Sequence, residues 1–314
     1  MSQQPSPAAS LGTEVSPNAT VRAARARLAI HPSRVALHLC LILASLLMAA
    51  PFLWMVSTSL KPNDQIFAFP PQWIPRVWMW ENYARAMAAA PFPLYFRNTG
   101  IYAGGVLVFQ LTLCSMAGYA FARLPFPGRQ AVFIAVLATM MVPGQMLLIP
   151  LFVMLKHVPL VGGNNLLGIG GNGWLDSFAG LIVPQAVTAF GIFLMRQFFL
   201  TLPAELGDAA RIDGASEASI FWRIMLPLTK PALATLGIIT FQGAWNDFLW
   251  PLIVTNSEGT RTLQLGLQVF EDQNNADWAL LMAATTVVSV PVVVVFLIGQ
   301  RYLVQGIALT GLKG

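Results

Sequence analysis

Charged side chains are scarce in this sequence. Of its 314 residues only 10% are Asp, Glu, Lys or Arg, whereas 56% are hydrophobic, and the mean hydropathy is +0.65. A typical soluble domain carries roughly 25% charged residues. So little charge cannot cover the surface of a water-exposed protein of this length, which argues against a soluble enzyme, a disordered protein and a nucleic-acid-binding protein. We expect no nucleic-acid partner.

Cysteine and histidine are also rare. The two cysteines, Cys40 and Cys114, each lie in an apolar run, so we expect two buried, unreactive thiols and no disulfide framework. The three histidines are scattered and lack the spacing of metal ligands. Residues 168–173 match G-x-G-x-x-G, but this pattern indicates a dinucleotide site only between a strand and a helix, and here it follows an apolar run. The sequence predicts no metal site and no cofactor.

Six long runs without charge dominate the chain. They cover residues 35–60, 98–122, 130–155, 177–195, 231–257 and 278–300, and only Asp247 interrupts them. Each run has 19 to 27 residues, near or above the roughly 20 that a membrane-spanning helix needs. Only helices and closed barrels satisfy their backbone in lipid, and the short alternating segments of a barrel are absent. The runs therefore predict an all-α polytopic membrane protein with six transmembrane helices.

The segments between the runs predict organisation and orientation. Residues 1–34 are polar, then basic, and are expected to form a cytoplasmic, largely disordered tail, which leaves 35–314 as the six-span domain. With the N-terminus in the cytoplasm, the inside segments hold 12 of the 18 Lys and Arg residues and the outside segments hold 6. This bias predicts that both termini are cytoplasmic. It also places the long charged loop 197–229 inside.

Loop 197–229 predicts a helix, a glycine elbow and a second helix. Glu205 and Asp208 suit the positive end of the first helix dipole. Gly214, directly after an aspartate, indicates a turn. Ser216 can cap a second helix that runs into Pro227.

The first helix of this loop offers a small apolar surface. Ala209, Ala210 and Ile212 would let another protein approach the backbone closely. The alternative is a surface hairpin that merely joins two spans. In the second span, Gly100 and Gly104 have the small-xxx-small spacing of close helix packing.

The spacing within the loop resembles the EAA motif of ABC importer permeases, which reads E-A-A, three residues, Gly, nine residues and I-x-L-P. Here it stands as Asp208-Ala209-Ala210, then Gly214, then Ile224-Met225-Leu226-Pro227, with Asp in place of Glu as the one departure. The resemblance implies that this loop docks into a cleft of an ATPase subunit. The implied coupling residues are Glu205, Asp208, Ala209, Ala210, Arg211, Asp213, Gly214, Ile224, Leu226 and Pro227.

Other segments extend the resemblance to the carbohydrate branch of this family. These segments are Arg211-Ile212-Asp213-Gly214-Ala215, Gly118-Tyr119-Ala120-Phe121-Ala122-Arg123, Trp245-Asn246-Asp247-Phe248 and the ending Gly311-Leu312-Lys313-Gly314. Over about residues 35–314 the chain resembles the smaller six-span permease subunit of maltose-type importers, which implies a MetI-like fold in a bacterial inner membrane. In the family the C-terminal ending also reaches the ATPase interface.

The resemblance implies a permease rather than an enzyme. Its partners would be a second homologous permease, two ATPase subunits and an extracytoplasmic solute-binding protein. The sequence has no G-x-x-x-x-G-K-[ST] pattern, so ATP hydrolysis must come from a partner. The implied solute is a sugar or a related oligosaccharide, polyol or glycerol phosphate.

Asp247 is the one Asp, Glu, Lys or Arg residue inside the six runs. A carboxylate there must face protein or water, so Gln242, Trp245, Asn246 and Asp247 are candidates for the translocation path. Three readings of Asp247 stay open: a hydrogen bond to the partner permease, lining of the path, or direct contact with solute.

Two other classes of protein remain as alternatives. A secondary carrier or channel would work without ATP, but such proteins usually carry internal repeats and several intramembrane ionisable residues. A membrane scaffold would have no transport role. Copurification of an ATPase distinguishes the importer from both.

Overall fold

The structure is a computed structural model that describes residues 32–271 and 276–311, with side chains described for 35–271 and 276–302. The described residues form α-helices, short 3₁₀ and π turns, and no strand. The chain divides into two compact units, residues 1–54 and 55–314. The tail predicted for 1–34 lies outside the described residues except for 32–34, which begin the first helix. The last three residues of the C-terminal ending also lie outside them.

The α-helices have the following bounds. They are α1 (Pro32–Ser59), α2 (Asn63–Ile66), α3 (Glu81–Ala88), α4 (Phe92–Arg123), α5 (Arg129–Ala138), α6 (Leu148–Lys156), α7 (Phe178–Ile182), α8 (Ala189–Thr201), α9 (Glu205–Ile212), α10 (Glu217–Ile220), α11 (Leu226–Leu228), α12 (Lys230–Trp245), α13 (Leu249–Val254), α14 (Leu263–Gly266) and α15 (Trp278–Gly311). The 3₁₀ turns are Thr139–Met141, Gly144–Leu147, Val183–Gln185 and Leu267–Phe270, and a π turn covers Phe221–Met225.

All six apolar runs become helical, as the sequence predicts. Three helices (α1, α4 and α15) are long and apolar enough to cross a membrane alone. Three further spans arise if each bent helix pair counts as one, with bends of 95° after Met141, 45° after Gln185 and 79° after Leu228. The described chain is therefore an all-α polytopic membrane protein.

Proline explains two of these bends. Val142 precedes Pro143 and has an extended backbone (φ −86°, ψ 119°), because the proline ring disfavours helical geometry in the residue before it. Pro231 lies in the first turn of α12 and has no N–H to donate to the carbonyl of Pro227, so the hydrogen-bond pattern of α11 cannot continue into α12. The apolar runs locate the first two bent pairs, but the third pair joins residues 217–228 of the charged loop to α12, whereas the sequence predicts a span over 231–257. None of the three bends is predicted from the sequence.

Helix α4 lies at the centre of the second unit. It runs unbroken for 32 residues and packs against α8 and α12, while α12 packs in turn against α15. One buried cluster surrounds Phe92 and Tyr95 near the start of α4. A second surrounds Cys114 and Tyr119 near its end. The second cluster connects α4 to the charged loop.

Helix α4 approaches α8 closely at Gly118. A Cβ at this position would lie 2.7 Å from Cβ of Met195 and 2.8 Å from the backbone nitrogen of Arg196 in α8. At Gly100 and Gly104, by contrast, an added Cβ would meet nothing within 4 Å. The close packing expected at Gly100 and Gly104 is thus not made within the described chain.

The two cysteines differ in burial. Cys114 is buried as predicted, but Cys40 is exposed, because an apolar run does not distinguish a core-facing position from an outward-facing one.

Residues 168–173 lie in a loop where Gly168 has φ +72°, and a Cβ there would overlap the carbonyl oxygen of His157. Tight folding of the loop therefore accounts for the glycines in this pattern.

Candidate functional site

Residues 205–228 form a helix, a turn and a second helix, which we call the coupling elbow. The first arm, α9, ends in a Schellman motif: the N–H of Ala215 donates to the carbonyl of Ala210 at 2.9 Å, and the N–H of Gly214 donates to that of Arg211 at 3.0 Å. Gly214 has φ +79°, a left-handed conformation that glycine adopts without steric cost. The turn predicted at Gly214 is confirmed.

The second arm of the elbow begins at a serine cap and contains a π turn. The side chain of Ser216 accepts a hydrogen bond from the N–H of Ser219 at 3.3 Å, as predicted. The arm does not stop at Pro227 but continues through it to Leu228. Pro227 cannot donate to a carbonyl one turn earlier, and the π turn Phe221–Met225 directly before it gives the local unwinding that such a residue needs.

The elbow presents one apolar face outward. Ile212 is 87% exposed and Leu206 is 40% exposed, and Ala209 between them is exposed as well. Ala210 is instead only 8% exposed and packs in the cluster around Tyr119. The expected apolar surface therefore consists of Leu206, Ala209 and Ile212, because helix periodicity turns Ala210 towards the protein.

The remaining elbow residues divide between surface and core. Ile224 and Leu226 are half-buried and pack against the cluster around Tyr119. The other predicted coupling residues are exposed, and these are Glu205, Asp208, Arg211, Asp213, Gly214 and Pro227.

A charged network crosses the elbow. Arg211 Nη1 pairs with Asp208 Oδ1 at 2.8 Å, and Arg211 Nε pairs with Glu217 Oε1 at 2.6 Å. The hydroxyl of Tyr119 in α4 donates to Glu217 Oε2 at 2.9 Å. The hydrogen bond to Glu217 raises the pKa of Arg211 above its ordinary value. The network joins both arms of the elbow to the second span.

Asp247 lies in the break between α12 and α13. Its carboxylate accepts a hydrogen bond from the Tyr102 hydroxyl at 2.7 Å and from the N–H of Trp250 at 3.3 Å. The second bond satisfies an N–H in the first turn of α13, where no carbonyl of the same helix is available. A hydrogen bond of Asp247 is therefore made within this chain, to α4.

A cavity of about 310 Å³ lies beside Asp247. Its polar lining consists of Tyr102, Gln110, Gln185, Thr188, Thr240 and Asp247. Thr240 donates to Gln110 Oε1 at 2.7 Å, and Gln110 Nε2 donates to the carbonyl of Gln185 at 2.8 Å. We call this feature the membrane cavity. Its polar groups lie on α4, on the 3₁₀ turn Val183–Gln185, on α12, and in the breaks before α8 and after α12.

The four path candidates do not come together in the described chain. Asp247 lines the membrane cavity. Trp245 is 6% exposed, donates from Nε1 to the carbonyl of Val288 at 3.0 Å, and packs on Phe241. Gln242 and Asn246 are exposed on another face. Helix geometry separates neighbours that the sequence motif groups together.

Sequence reasoning missed Tyr102, Gln110, Tyr119 and Glu217. Gln110 is an amide inside an apolar run, and that signal could have marked it. Glu217 lies in the charged loop but outside the motif spacing. Tyr119 stands in a segment that carries the resemblance, but the sequence shows the partner of neither tyrosine, because those partners lie 145 and 98 residues away.

A carboxylate clasp holds the loop that follows α13. Asp176 Oδ1 accepts hydrogen bonds from the N–H groups of Asn256 and Ser257, each at 3.0 Å, and from the hydroxyl of Thr260. Partial burial acts to raise the pKa of Asp176, but these hydrogen bonds outweigh it and lower the pKa to about 2. The clasp ties the loop before α7 to the loop after α13.

The sequence is similar to membrane proteins of known transport systems. The family described as "Binding-protein-dependent transport system inner membrane component" matches residues 110–309. The arabinooligosaccharides transport system permease protein AraQ of Bacillus subtilis (strain 168) is 33% identical over 284 residues, which are 90% of this chain and 96% of that protein. The sn-glycerol-3-phosphate transport system permease protein UgpE of Yersinia pestis bv. Antiqua (strain Antiqua) is 34% identical over 86% of this chain and 94% of its own length.

A solved structure has the same fold. It is the crystal structure of a bacterial ABC transporter involved in the import of the acidic polysaccharide alginate, and it matches with a TM-score of 0.72 at 23% identity. The match covers 85% of this chain and 95% of the other. The chain belongs to the family of binding-protein-dependent transport system inner membrane components, and it is a membrane permease of the ABC importer class.

Proposed function

We propose that this chain is one of the membrane-spanning subunits of an ATP-driven importer for a sugar or a related solute such as an oligosaccharide, a polyol or a glycerol phosphate. The names of the relatives support this solute class, since AraQ is named for arabinooligosaccharides and UgpE for sn-glycerol-3-phosphate. The observation that carries the proposal is the exposed coupling elbow, whose form a carrier working without ATP would not need.

The coupling elbow is the proposed docking site for an ATPase subunit. Leu206, Ala209 and Ile212 expose apolar surface that the described residues leave uncovered, and burial of such surface is the main driving force of protein association. A Cβ added at Gly214 would meet nothing within 4 Å, so a partner can approach the backbone itself. ATP hydrolysis then takes place in the partner.

The complete transporter would contain a second homologous permease, two ATPase subunits and an extracytoplasmic solute-binding protein. ATPase closure would move the elbow of each permease as a lever and so alternate the spans between inward- and outward-facing states. The proposed location is a bacterial inner membrane with both termini in the cytoplasm. The distribution of 12 Lys and Arg residues inside against 6 outside supports this orientation.

The membrane cavity is the proposed contribution of this chain to the translocation path. It is lined by amides, hydroxyls and one carboxylate, which are groups that can hydrogen-bond a hydroxyl-rich solute. Asp247 and its partner Tyr102 form one wall. Trp245 is proposed to support this wall by packing, and Gln242 and Asn246 to face the partner permease.

A pair of glycine substitutions tests the docking role. Gly214 and Gly128 have φ +79° and +76°, and at both a Cβ would meet nothing within 4 Å. Each lies in a loop assigned to the cytoplasm, so the conformational strain of a substitution is matched. Gly214→Trp should abolish copurification of the ATPase with an affinity-tagged chain, whereas Gly128→Trp should preserve it.

Membrane content of each variant is the control for folding. If Gly214→Trp and Gly128→Trp retain the ATPase equally, the elbow is not the docking site. Absence of any copurifying ATPase from the unsubstituted chain would favour an ATP-independent carrier.

A further inference from the structure

Glu217 joins α9, which we call the docking helix, to α4, the second span. One carboxylate oxygen accepts from Arg211 Nε of α9 at 2.6 Å, and the other accepts from the hydroxyl of Tyr119 in α4 at 2.9 Å. Arg211 also holds Asp208, the first residue of the EAA-like motif, at 2.8 Å. A continuous chain of charge-assisted hydrogen bonds thus runs from α9 to α4.

The two ends of this chain differ in burial. Tyr119 is 4% exposed, and its ring packs on Phe199 and Phe221 with centroid distances of 5.5 and 5.3 Å. The side chains of Arg211 and Asp208 are 39% and 64% exposed. Exposed ion pairs contribute only about 0–1 kcal/mol to stability. The two ion pairs of Arg211 therefore add little to the folding of the elbow, and together with the bond to Tyr119 they fix the position of α9 relative to a buried residue.

The segment of α4 that carries Tyr119 is firmly joined to α8. Gly118 allows backbone contact with Met195 and Arg196. Arg196 Nε donates to the carbonyl of Phe121 at 3.3 Å, and Arg123 donates to carbonyls at the end of α8 and just beyond it. A displacement of Tyr119 must therefore move two spans together.

The same helix reaches the membrane cavity. Helix α4 is unbroken from Phe92 to Arg123, and it carries Tyr102 and Gln110 in the cavity wall. With a rise of roughly 1.5 Å per residue, Tyr102 lies about 25 Å along the helix from Tyr119. A shift at one end of α4 is thus transmitted to the lining of the cavity.

Among the described residues, α9 also makes apolar contacts, one with the second arm of the elbow and one with the cluster around Tyr119. Gly207 packs near the methyl group of Met225, and Ala210 lies in the cluster around Tyr119. Apolar contacts are not directional, so they permit sliding. The hydrogen bonds of Glu217 have fixed directions and resist it.

We propose that Glu217 is a positioning residue that transmits displacement of the docking helix to the second span through Arg211 and Tyr119. This inference rests on the proposed function of the coupling elbow as the ATPase docking site. It assigns a role to two residues, Glu217 and Tyr119, that lie outside the motif itself.

The test uses the complete transporter, purified through a tag on this chain. A single reporter cysteine replaces Gly243, which lines the membrane cavity and where an added Cβ meets nothing within 4 Å; Cys40 and Cys114 are removed. The rate of labelling by a fluorescent maleimide is measured without nucleotide and after trapping with ATP and vanadate. The expected result for the parent is a clear change of rate on trapping.

Two substitutions should remove this change without removing the ATPase. Tyr119→Phe and Glu217→Ala should each reduce the nucleotide-dependent change of the labelling rate about fivefold or more, which is the lower range of allosteric couplings. The double variant should lose no more of this change than the single variants, because both substitutions break the same hydrogen bond. Tyr83→Phe is the matched control, since it also loses a hydroxyl hydrogen bond, to Ser59 at 2.7 Å, far from the elbow in sequence.

Several outcomes would overturn the inference. One is an unsubstituted chain whose labelling rate does not change on trapping, and another is a Glu217→Ala variant whose labelling rate changes as much as that of the parent. A third is a Tyr83→Phe variant that loses the rate change equally. A fourth is loss of the ATPase from Glu217→Ala, which would make Glu217 part of the docking surface or of the elbow fold. Failure of the docking proposal is separate, because it is reported by Gly214→Trp retaining the ATPase. If Gly214→Trp releases the ATPase while Glu217→Ala responds normally, only the role of Glu217 is wrong.

Discussion

The contact between α4 and α8 at Gly118 allows a quantitative prediction. In Gly118→Ala the new Cβ would lie 2.7 Å from Cβ of Met195 and 2.8 Å from the backbone nitrogen of Arg196. Neither atom is the end of a flexible side chain, so the two helices must separate locally. Overpacking of this kind costs typically about 1–3 kcal/mol. We expect Gly118→Ala to destabilise the protein by that amount.

Gly104→Ala is the matched control. Gly104 lies in the same helix, and an added Cβ there meets nothing within 4 Å. Replacement of glycine by alanine at a position without strain stabilises a protein by about 0.4–1 kcal/mol, because the unfolded chain loses freedom. The two substitutions are chemically identical and should act in opposite directions.

The assay is thermal unfolding of the purified protein, followed by tryptophan fluorescence. At about 2–4 °C per kcal/mol for a chain of this size, Gly118→Ala should lower the melting temperature by about 2–12 °C, while Gly104→Ala should leave it unchanged or raise it slightly. Equal melting temperatures for the two variants would refute the close approach of α4 and α8. A lower value for Gly104→Ala alone would indicate that the small-xxx-small spacing is the packed site after all.

Three further predictions concern the cavity, the orientation and the clasp. Asp247→Leu should leave the ATPase bound but abolish uptake of the solute that the associated binding protein carries. Asp247→Asn should be less affected, because its amide oxygen still accepts a hydrogen bond from Tyr102. Loss of assembly in Asp247→Leu would instead make Asp247 a structural link. In a chain without native cysteines, an impermeant maleimide added to intact cells should label a cysteine at Ser257 and not one at Ser216, and the reverse pattern would overturn the orientation. Asp176→Ala should lower the melting temperature, since hydrogen bonds to a charged group contribute about 1.5–3 kcal/mol each. Because the folded pKa of Asp176 is lowered to about 2, the difference from wild type should be full above about pH 5 and shrink as the pH falls through the folded pKa; a constant difference would contradict the clasp.

The sequence alone determined the class of fold and the elbow. Apolar runs of 19 to 27 residues leave helices as the means of satisfying the backbone in lipid, and this argument needs no knowledge of tertiary contacts. The turn at Gly214 and the cap at Ser216 also follow from local chemistry, because each depends on a residue and its near neighbours. The structure confirms both.

The tertiary structure decided which side of each helix, and which part of its length, is used for packing. It buries Ala210 and exposes Leu206, and it places the close contact at Gly118 instead of Gly100 and Gly104. In lipid the outward face of a helix is as apolar as the inward face, so composition cannot tell them apart. For the same reason Cys40 and Cys114 look alike in the sequence but differ in exposure.

The partners of the polar groups were also beyond the sequence. Asp247 finds Tyr102 across 145 positions, and Glu217 finds Tyr119 across 98. Such pairs depend on which helices become neighbours and on how each is rotated about its axis. A helix boundary is a local property that depends on a few adjacent residues, whereas rotation and neighbours follow from the packing of the whole chain. The sequence therefore identified the helices and the elbow, and only the packed structure identified the hydrogen bonds that join the elbow to the second span and Asp247 to the cavity wall.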